Sequence, residues 1–506
     1  MVTQKSVNVG ILGATGTVGQ RFILLLSTHP FFRIHALGAS ARSAGHSYAK
    51  AVRWKQSAPI PEVVRDMMVQ ECKPEGAFTE CGVIFSGLDA DVAGDIELAF
   101  RAAELAVFSN SKNHRRDPVV PLIVPLVNPT HLSIVPHQQS IQSPPLKRGF
   151  IVTNANCSTT GLVVPLAALE VAFGPLETVQ VTTLQAISGA GYPGVPSLDI
   201  LDNVVPYIGG EEEKMEWETG KILGGLAADA KSFEHHATHP LTVSATCFRV
   251  PVLDGHSESV SVRFHRRPPP SPEDAVAALR EYKCEPQSLG CPSAPQQAIF
   301  VHDEPDRPQP RLDRDFQRGA GVNVGRVRKC PVLDIKFVVL SNNVCIGAAT
   351  SSIINAEYAV AKDLGQLTRK TYDLGIGGYQ KLNTQILEKE TLPGEIPLMG
   401  RSQVLASDKI DGADGIQELS SRGVQLLPPY ANAPFYFFTV VLRYVRGVDH
   451  PVGIAHAVTF HCSEVHPPNK QMPYRTTPTR LGSAQRPSSS IETGACERNA
   501  QKDGGK

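Results

Sequence analysis

The sequence predicts an α/β protein with two folded domains and a long C-terminal extension. A glycine-rich turn lies between a short apolar segment and an apolar helical segment within residues 6–27. Apolar strands and helical patterns then alternate up to residue 111, which is typical of a parallel sheet covered by helices. Beyond residue 157 the predicted strands are longer and alternate polar with apolar residues, which indicates a mixed α+β domain.

The composition argues against several classes of protein. The 506 residues include 49 Lys+Arg and 49 Asp+Glu, so the chain has no excess of positive charge that would favour binding to nucleic acid or to an anionic membrane. No apolar segment reaches the roughly 18 residues needed to cross a bilayer. The N-terminus leads directly into a strand, so we expect no secretory signal and a cytoplasmic location. Ten cysteines without CxxC pairs indicate neither a metal site nor a disulfide framework.

The N-terminal turn predicts a dinucleotide site. Residues 6–12 form a predicted strand, residues 13–19 a GxxGxxG turn, and residues 20–27 an apolar helix. Glycines permit a tight turn and close approach of the backbone to a pyrophosphate, which the helix N-terminus can bind. We therefore predict a Rossmann-type dinucleotide-binding domain over residues 1–156. Its expected cofactor contacts in the turn are Gly13, Thr15, Gly16, Thr17 and Val18.

The second predicted strand, residues 33–39, indicates which dinucleotide is bound. An NAD site usually has Asp or Glu at the end of this strand for the ribose hydroxyls, and neither is present here. Ser40, Arg42 and Ser43 instead offer donors suited to a 2′-phosphate, so we predict NADP. The alternative for Arg42 is a solvated cation on a loop.

Two further strands, residues 82–88 and 106–111, flank a predicted helix over 90–104. Loops at the carboxyl ends of parallel strands hold cofactors in such sheets. The residues predicted to contact the cofactor there are Ser86, Gly87, Ser109 and Asn110.

Cys157 is the leading candidate for a reactive residue. It follows a β-rich segment, 149–153, and precedes an apolar helical segment, 162–171. Unpaired amides at a helix N-terminus lower the pKa of a nearby thiol and favour the nucleophilic thiolate. Most free cysteines are buried structural residues. The neighbours of Cys157 are polar, however, and suit a site better than a core: Asn154, Asn156, Ser158, Thr159 and Thr160.

The second domain supplies further candidates. A glycine-dense loop at 188–194 either lets backbone approach a ligand or is only a turn. The simplest interpretation of the charged segment 211–216 is the solvated face of a helix. His256, in a predicted turn between two strands, is the leading general base. Arg249 lies in an apolar strand and requires an anionic partner if buried, either a structural carboxylate or a substrate carboxylate.

A nucleophilic cysteine, a histidine base and a nicotinamide site on one chain indicate aldehyde oxidation or acyl reduction through a thioester. The thiolate adds to the carbonyl, and hydride passes between that carbon and nicotinamide. The acyl-enzyme then exchanges with a second nucleophile.

Four motifs resemble the aspartate-semialdehyde dehydrogenase family, in its fungal and archaeal branch. They are GILGATGTVG at 10–19, NANCSTT at 154–160, QAISGAGYPG at 185–194 and RVPVLDGH at 249–256. The resemblance covers residues 6–362 and implies NADPH-dependent reductive dephosphorylation of 4-phospho-L-aspartate to L-aspartate 4-semialdehyde. That reaction lies on the route to lysine, threonine, methionine and isoleucine. A homodimer or homotetramer is also implied.

The resemblance implies roles for individual residues. Cys157 would form the acyl thioester, His256 would be the acid/base, and Gln185 would help to orient the substrate. Arg249 would bind the substrate carboxylate. The substrate's phosphate and amino groups would be held by Arg115, Glu211 and Lys214, and the residues expected near the nicotinamide are Ser188, Gly189 and Asn343.

The resemblance also implies a domain order. Residues 157–333 would form a catalytic and dimerisation domain, and residues 334–362 would return to complete the cofactor domain with its last strand and helix. His46 departs from the family pattern, which often has Lys there. Residues 363–506 lie outside that pattern and are predicted to be a largely irregular or disordered extension. It is either dispensable or a partner-binding appendage that uses residues 435–444.

Other functions stay open on the residues alone. An N-acetyl-gamma-glutamyl-phosphate reductase shares the thioester chemistry, and an acyl-CoA reductase relative would require CoA. A non-enzymatic NADP sensor would bind the cofactor with a thiol of ordinary reactivity. Arg249 together with Glu211 and Lys214 favours a small amino-acid substrate.

Overall fold

The computed structural model describes residues 6–236, 238–364 and 367, and the strand residues 425–426, 438–442 and 456–460. By internal contacts the chain divides into two units, Met1–Pro393 and Gly394–Lys506.

A seven-stranded sheet forms the first layer of the larger unit. Its strands are β1 (Val7–Leu12), β2 (Phe32–Ala39), β3 (Val69–Glu71), β4 (Val83–Ser86), β5 (Ala106–Ser109), β6 (Leu122–Ile123) and β7 (Phe150–Asn154). Their order is β3-β2-β1-β4-β5-β7-β6, and every neighbouring pair is parallel. The strand order reverses between β1 and β4, and ligands bind at the carboxyl ends of the strands beside such a reversal. The predicted Rossmann-type fold is confirmed.

Six of the described α-helices have ten or more residues, and the others are short. The α-helices are α1 (Thr17–Leu26), α2 (Tyr48–Ala51), α3 (Glu62–Arg65), α4 (Ala90–Ala102), α5 (Val135–Ser140), α6 (Cys157–Phe173), α7 (Ser197–Ile200), α8 (Glu211–Leu223), α9 (Pro272–Glu281), α10 (Glu285–Ser288), α11 (Pro310–Asp313) and α12 (Thr350–Ala361). Short 3₁₀ helices occupy Gly76–Glu80, Pro129–Ile134, Ile187–Ala190 and Phe316–Gly319, and a π-helical turn occupies Cys345–Ala349.

Helices cover both faces of the parallel sheet. On one face, Phe22 of α1 and Ile353 of α12 share a core with Phe85 of β4. On the other, Phe100 of α4 packs with Ile84, the neighbour of Phe85 along the same strand. Each fully buried phenylalanine contributes about 2–3 kcal/mol of hydrophobic stabilisation. Strands buried on both sides in this way explain the continuous apolar runs in the sequence.

A mixed six-stranded sheet forms the second layer. Its strands are β8 (Leu176–Gln185), β9 (Thr242–Arg249), β10 (His256–Phe264), β11 (Ile299–Val301), β12 (Val322–Lys329) and β13 (Ile335–Ser341), in the order β11-β12-β13-β10-β8-β9. Pairs β8–β9 and β11–β12 are parallel, and the other pairs are antiparallel. Val179 and Val181 point into a core shared with α6, α8 and α9, while Gln180 between them is exposed. The predicted α+β character is confirmed.

Strand β13 departs from the sequence prediction. It was expected to complete the cofactor domain together with α12, but it lies in the second sheet between β10 and β12. Within residues 334–362, Ala349 and α12 join the core of the first sheet, and no residue of β13 does. The physical reason is the short connection from Lys329 to Ile335, because two strands joined so closely pair as an antiparallel hairpin.

The smaller unit has three described strands, β14 (Gln425–Leu426), β15 (Phe438–Leu442) and β16 (His456–Phe460), which form an antiparallel sheet in that order. Strand β15 lies within residues 435–444, the segment considered above for partner binding. Most of the predicted extension at 363–506 lies outside the described residues.

Two features are absent from the described residues. No helix there is long and apolar enough to cross a membrane. In the same part of the chain, no group of three or more His, Cys, Asp or Glu side chains is arranged to hold a metal ion.

Glu258 is a buried acid beneath α6. It lies on β10 opposite Thr183 and Val339, is 1 % exposed, and neither carboxylate oxygen has a hydrogen-bond partner among the described residues. Gly161 of α6 covers it, since a Cβ there would lie 3.5 Å from Glu258 Oε1. Burial raises the pKa of Glu258 well above its ordinary value, so the acid is held in its neutral form.

We predict that Glu258→Gln stabilises the protein in a pH-dependent manner. A carboxyl whose pKa is raised by folding costs no stability below its unfolded pKa, and the cost grows as pH rises above that value. Glutamine does not titrate, so its advantage should grow between pH 5 and pH 8, by up to about 1.4 kcal/mol per pH unit. Urea unfolding of both proteins across this range measures the difference. A difference that does not change with pH would contradict the prediction.

Candidate active site

The thiol of Cys157 lies where the two layers meet. Cys157 is the first residue of α6, so the helix begins earlier than the predicted residue 162. The preceding Asn156 caps the helix, because its Oδ1 accepts hydrogen bonds from the backbone N–H of Ser158 at 2.9 Å and Thr159 at 3.2 Å. Such a cap contributes about 1 kcal/mol and fixes the backbone around the thiol.

The structure brings Cys157 and His256 together. Cys157 Sγ lies 3.3 Å from His256 Nε2. His256 is fully buried and is the first residue of β10, so its predicted place in a turn is wrong. The reason is that pairing with β13 already begins at His256, which lies opposite Ser341.

Burial is the largest cause of the pKa shifts of Cys157 and His256. It raises the pKa of Cys157 to about 12, and Glu211 raises it further, while Arg249, Arg115 and the backbone N–H of Ser158 lower it. The expected low pKa of Cys157 at the helix N-terminus is therefore wrong, because desolvation of the thiolate outweighs the effect of the helix amides. Burial, followed by the charge of Arg249, lowers the pKa of His256 to about 3. Both shifts favour the neutral forms of the two groups.

Arg249 places a buried charge beside this pair. It is the last residue of β9 and is 6 % exposed, and its Nη1 donates a hydrogen bond to the carbonyl of Ala186 at 2.7 Å. Within the described part of the chain, no carboxylate lies at ion-pair distance from it. The structural-carboxylate alternative therefore has no support here, and the guanidinium keeps its capacity to bind an anion.

Glu211 gathers three of the predicted site residues. One oxygen accepts from Lys214 Nζ at 2.6 Å, and the other accepts from Asn156 Nδ2 at 2.7 Å and from Gln185 Nε2 at 3.4 Å. One side of the first turn of α8 is thus part of the site, while Glu213 on its other side is exposed, as its charge suggested.

Two residues further along α8 were missed by sequence reasoning. Glu218 is 2 % exposed, and its carboxylate accepts from Arg115 Nη1 at 2.8 Å and from the backbone N–H of Asn156 at 2.6 Å. Lys221 is 1 % exposed, and its Nζ donates to the carbonyls of Arg115, Asp117 and Val120 at 2.8–2.9 Å. Glu218 therefore holds the side chain of Arg115, and Lys221 holds the backbone of the loop that contains Arg115.

The glycine-rich turn fits a pyrophosphate. Gly13 has φ 71°, and a Cβ there would lie 2.6 Å from the carbonyl oxygen of Gly87. A Cβ on Gly19 would lie 2.2 Å from the carbonyl oxygen of Gly13, so α1 packs closely on the turn. Helix α1 begins at Thr17, with Gly16 as an N-cap that offers no side chain and with no acid in the first turn. Its N-terminal amides are thus suited to bind an anion.

The other predicted cofactor residues lie at or near the ends of strands. Thr15 and Val18 are half-buried in the turn. Ser40, Arg42 and Ser43 form a turn after β2 in which the Ser43 N–H donates to the Ser40 carbonyl at 2.8 Å, and Arg42 is exposed.

Asn110 has its side chain engaged within the protein. Its Nδ2 donates to the carbonyl of Ser86 and to Ser352 Oγ, both at 3.2 Å, and its Oδ1 accepts from Asn154 Nδ2 at 2.9 Å. These bonds tie β4, β5 and β7 to α12. Any contact that Asn110 makes with a ligand would have to share these atoms.

The expected nicotinamide residues lie around the reactive pair. Asn343 Nδ2 donates to Ser188 Oγ at 2.9 Å, and Asn343 Oδ1 accepts from the Gly255 N–H at 2.8 Å. A Cβ on Gly189 would lie 2.8 Å from Arg249 Nη1 and 3.0 Å from His256 Nε2. The glycine at 189 thus permits a close approach that no other residue would allow.

Comparison with known proteins identifies related chains. Residues 8–135 match the family model described as semialdehyde dehydrogenase, NAD binding domain, and residues 166–346 match semialdehyde dehydrogenase, dimerisation domain. The aspartate-semialdehyde dehydrogenase of Cryptococcus neoformans is 68 % identical over 367 residues, which are 72 % of this chain and 100 % of that protein. The enzyme of the same name from Archaeoglobus fulgidus is 43 % identical over 357 residues, 71 % of this chain and 99 % of that one.

A solved structure agrees with these matches. The crystal structure of aspartate-semialdehyde dehydrogenase with NADP from Candida albicans superposes with a TM-score of 0.67 at 56 % identity, covering 71 % of this chain and 99 % of that one. The identities and the coverage of the relatives confirm the resemblance inferred from the motifs and leave the two reductase alternatives without support. The chain belongs to the aspartate-semialdehyde dehydrogenase family.

Proposed function

We propose that this protein reduces 4-phospho-L-aspartate to L-aspartate 4-semialdehyde and phosphate, with NADPH, through a thioester on Cys157. The observation that carries the proposal is the contact of 3.3 Å between Cys157 Sγ and His256 Nε2, beside a buried arginine with no carboxylate partner in the described chain. A nucleophile, a proton-handling group and a carboxylate-binding cation then share one pocket.

The charged residues of the site are each suited to a substrate group of opposite charge. We propose that Arg249 binds the substrate's α-carboxylate, since its guanidinium can form paired hydrogen bonds with a carboxylate. Glu211, with Gln185 beside it, is suited to the α-ammonium group. Arg115 and Lys214 are suited to the phosphate, whose charge must be balanced as the acyl bond breaks.

Cys157 attacks the acyl carbon, and the phosphate departs towards Arg115 and Lys214. When bound, NADPH supplies the hydride that reduces the resulting thioester. The residues proposed to hold the cofactor are Gly13, Thr15, Gly16, Thr17 and Val18 at the pyrophosphate, Ser40, Arg42 and Ser43 at the 2′-phosphate, Ser86 and Asn110 at strand ends, and Ser188, Gly189 and Asn343 near the nicotinamide. Burial keeps water away from the thioester.

We further propose that the protein acts in the cytoplasm as a homodimer or homotetramer. The match to a dimerisation domain supports self-association. One face of the second sheet, which bears Gln180 and Leu184, is exposed in the single chain and is available for this purpose. Sedimentation velocity distinguishes the two assemblies.

The proposed reaction requires the thiol of Cys157. NADPH formation from aspartate semialdehyde and phosphate should occur with the wild type and fall at least about 10⁴-fold in Cys157→Ala, because the nucleophile is lost. Cys330→Ala is the matched control and should keep wild-type activity, since this cysteine lies in the loop after β12, among residues not assigned to the site. Activity without phosphate, or activity that survives in Cys157→Ala, would contradict the proposal.

The proposed role of Arg249 requires its planar guanidinium. Arg249→Lys should lower kcat/KM for aspartate semialdehyde about 10–100-fold, because lysine cannot reproduce the planar pair of donors. The KM for phosphate should change little, since Arg249 is assigned to the other end of the substrate. Steady-state kinetics with each substrate varied in turn make the comparison. A selective rise in the phosphate KM would reverse the assignment.

Glu218 is proposed to be a positioning residue for Arg115. Glu218→Gln keeps the shape but offers one acceptor oxygen in place of two, so either Arg115 or the Asn156 N–H loses its partner. We expect the KM for phosphate to rise about 10-fold, since a lost charge-assisted hydrogen bond is worth about 1.5–3 kcal/mol. Glu213→Gln, on an exposed position of the same helix, removes the same charge and serves as the control. Equal rises in all KM values would indicate a purely structural role.

A further inference from the structure

We propose that Asn154 is a positioning residue of the reactive centre, which holds the π-helical turn Cys345–Ala349 in place against Cys157. Its kinetic consequence rests on the proposed function, because Asn343, the residue proposed to lie near the nicotinamide, leads into this turn. The packing that Asn154 maintains can also be measured without turnover.

The π-helical turn packs directly on the first residue of α6. A Cβ on Gly347 would lie 2.9 Å from Cys157 Cβ and 3.3 Å from Cys157 Cα, so any other residue at 347 would push the two segments apart. The N–H groups of Cys345 and Gly347 both donate to the carbonyl of Asn342, at 3.2 and 3.1 Å. These bonds tie the turn to the loop that carries Asn343. The position of the turn therefore influences the distance between the thiol and Asn343.

Asn154 holds this turn through a buried hydrogen bond. It is the last residue of β7 and is 2 % exposed, and its Nδ2 donates to the carbonyl of Ala348 at 2.9 Å. A carbonyl can only accept, so the orientation of the Asn154 amide is fixed. Asn154 precedes Cys157 by three positions. One side chain thus joins the backbone before the thiol to the turn that packs on the thiol.

The remaining polar contacts of Asn154 also lie within the protein. Its Nδ2 is 2.9 Å from Asn110 Oδ1 and 2.8 Å from Ser352 Oγ, and its Oδ1 accepts from Asn355 Nδ2 at 3.0 Å. Ser352 and Asn355 belong to α12, which directly follows the turn. Both polar atoms of the amide are therefore engaged, as suits a residue that positions other groups and does not itself bind substrate.

Release of the turn should affect hydride transfer and leave phosphate binding unchanged. Hydride transfer needs the reacting carbons close together, and a misplacement of about 1 Å can cost about 10²-fold in rate. The residues proposed to bind phosphate, Arg115 and Lys214, are held by carboxylates of α8 and have no hydrogen bond to the turn among the described residues. A positioning role thus predicts a loss in one step of the reaction.

Asn154→Leu and Asn355→Leu form a matched pair of variants. Each replaces an amide with an apolar side chain of similar size, and each breaks the bond between the two residues. Asn154→Leu also releases the Ala348 carbonyl, whereas Asn355 Oδ1 has no hydrogen-bond partner among the described residues to lose. Thermal unfolding establishes that both variants are folded, and NADP binding reports any effect transmitted through Asn110.

Hydride transfer can be followed in a single turnover without phosphate. Cys157 adds to aspartate semialdehyde, and the thiohemiacetal becomes a thioester as it loses a hydride to NADP and a proton to solvent. We expect the rate of this NADPH burst to fall about 10–100-fold in Asn154→Leu and to stay near the wild-type rate in Asn355→Leu. The KM for phosphate should stay near the wild-type value in both. Equal burst rates in the two variants would overturn the positioning role.

Alkylation of Cys157 by iodoacetamide tests the packing in the protein without cofactor. We expect it to be about 3–10-fold faster in Asn154→Leu and unchanged in Asn355→Leu, because a thiol released from the turn is less desolvated. Mass spectrometry of the peptide distinguishes Cys157 from the other cysteines. Unchanged alkylation in Asn154→Leu would overturn the inference. Faster alkylation in a protein without phosphate-dependent activity would support the packing role while the proposed function fails.

Gly347→Ala keeps the inference testable if Asn154→Leu does not fold. Its methyl group must displace the turn from Cys157 directly and leaves Asn154 intact. We expect the same pattern, a slower NADPH burst and faster alkylation. Wild-type values of both rates in Gly347→Ala would show that the position of the turn does not matter, and would overturn the inference.

Discussion

The side-chain amide and the backbone N–H of Asn156 each donate a hydrogen bond to a carboxylate of α8. Glu211 accepts from its side chain, and Glu218 accepts from its backbone N–H. These two acids lie seven positions apart, and therefore on the same face of α8. Asn156 also caps α6, so its contacts with α8 fix the position of the start of α6 and of the thiol. The Arg115 side chain is held by the same helix through Glu218. If α8 moved, the Cys157 thiol and the Arg115 side chain would move together.

The electrostatics of the site follow from this arrangement. Arg115, Lys214 and Lys221 would be costly to bury alone, and each is matched by Glu218, Glu211 or a set of backbone carbonyls. Among the described residues, the guanidinium of Arg249 donates a hydrogen bond to a carbonyl and has no carboxylate at ion-pair distance. The site is therefore neutralised everywhere except where the substrate's carboxylate is proposed to bind, which concentrates binding energy at one end of a small substrate.

Local features were predictable from the sequence, and long-range ones were not. The turn at residues 13–19 is governed by the φ angle of Gly13 and by close packing at Gly19, both set by residues within the motif itself. Cys157 was recognisable from its polar neighbours. The burial of Glu218 and Lys221 was not, because a charged helix has the same sequence pattern whether its charges face water or a loop about a hundred residues away. The placement of β13 depends on its partner strands rather than on its own residues.

The position of α12 has a consequence for how the chain folds. One face of the parallel sheet is covered by this helix, and His29 near the end of α1 bonds to Glu357 across 328 positions of sequence. During synthesis all seven strands of that sheet emerge before the helix that covers them. Until then an apolar surface containing Phe85 and Phe108 lacks part of its cover. Contacts of such long sequence separation slow folding and lengthen the time during which aggregation competes with it.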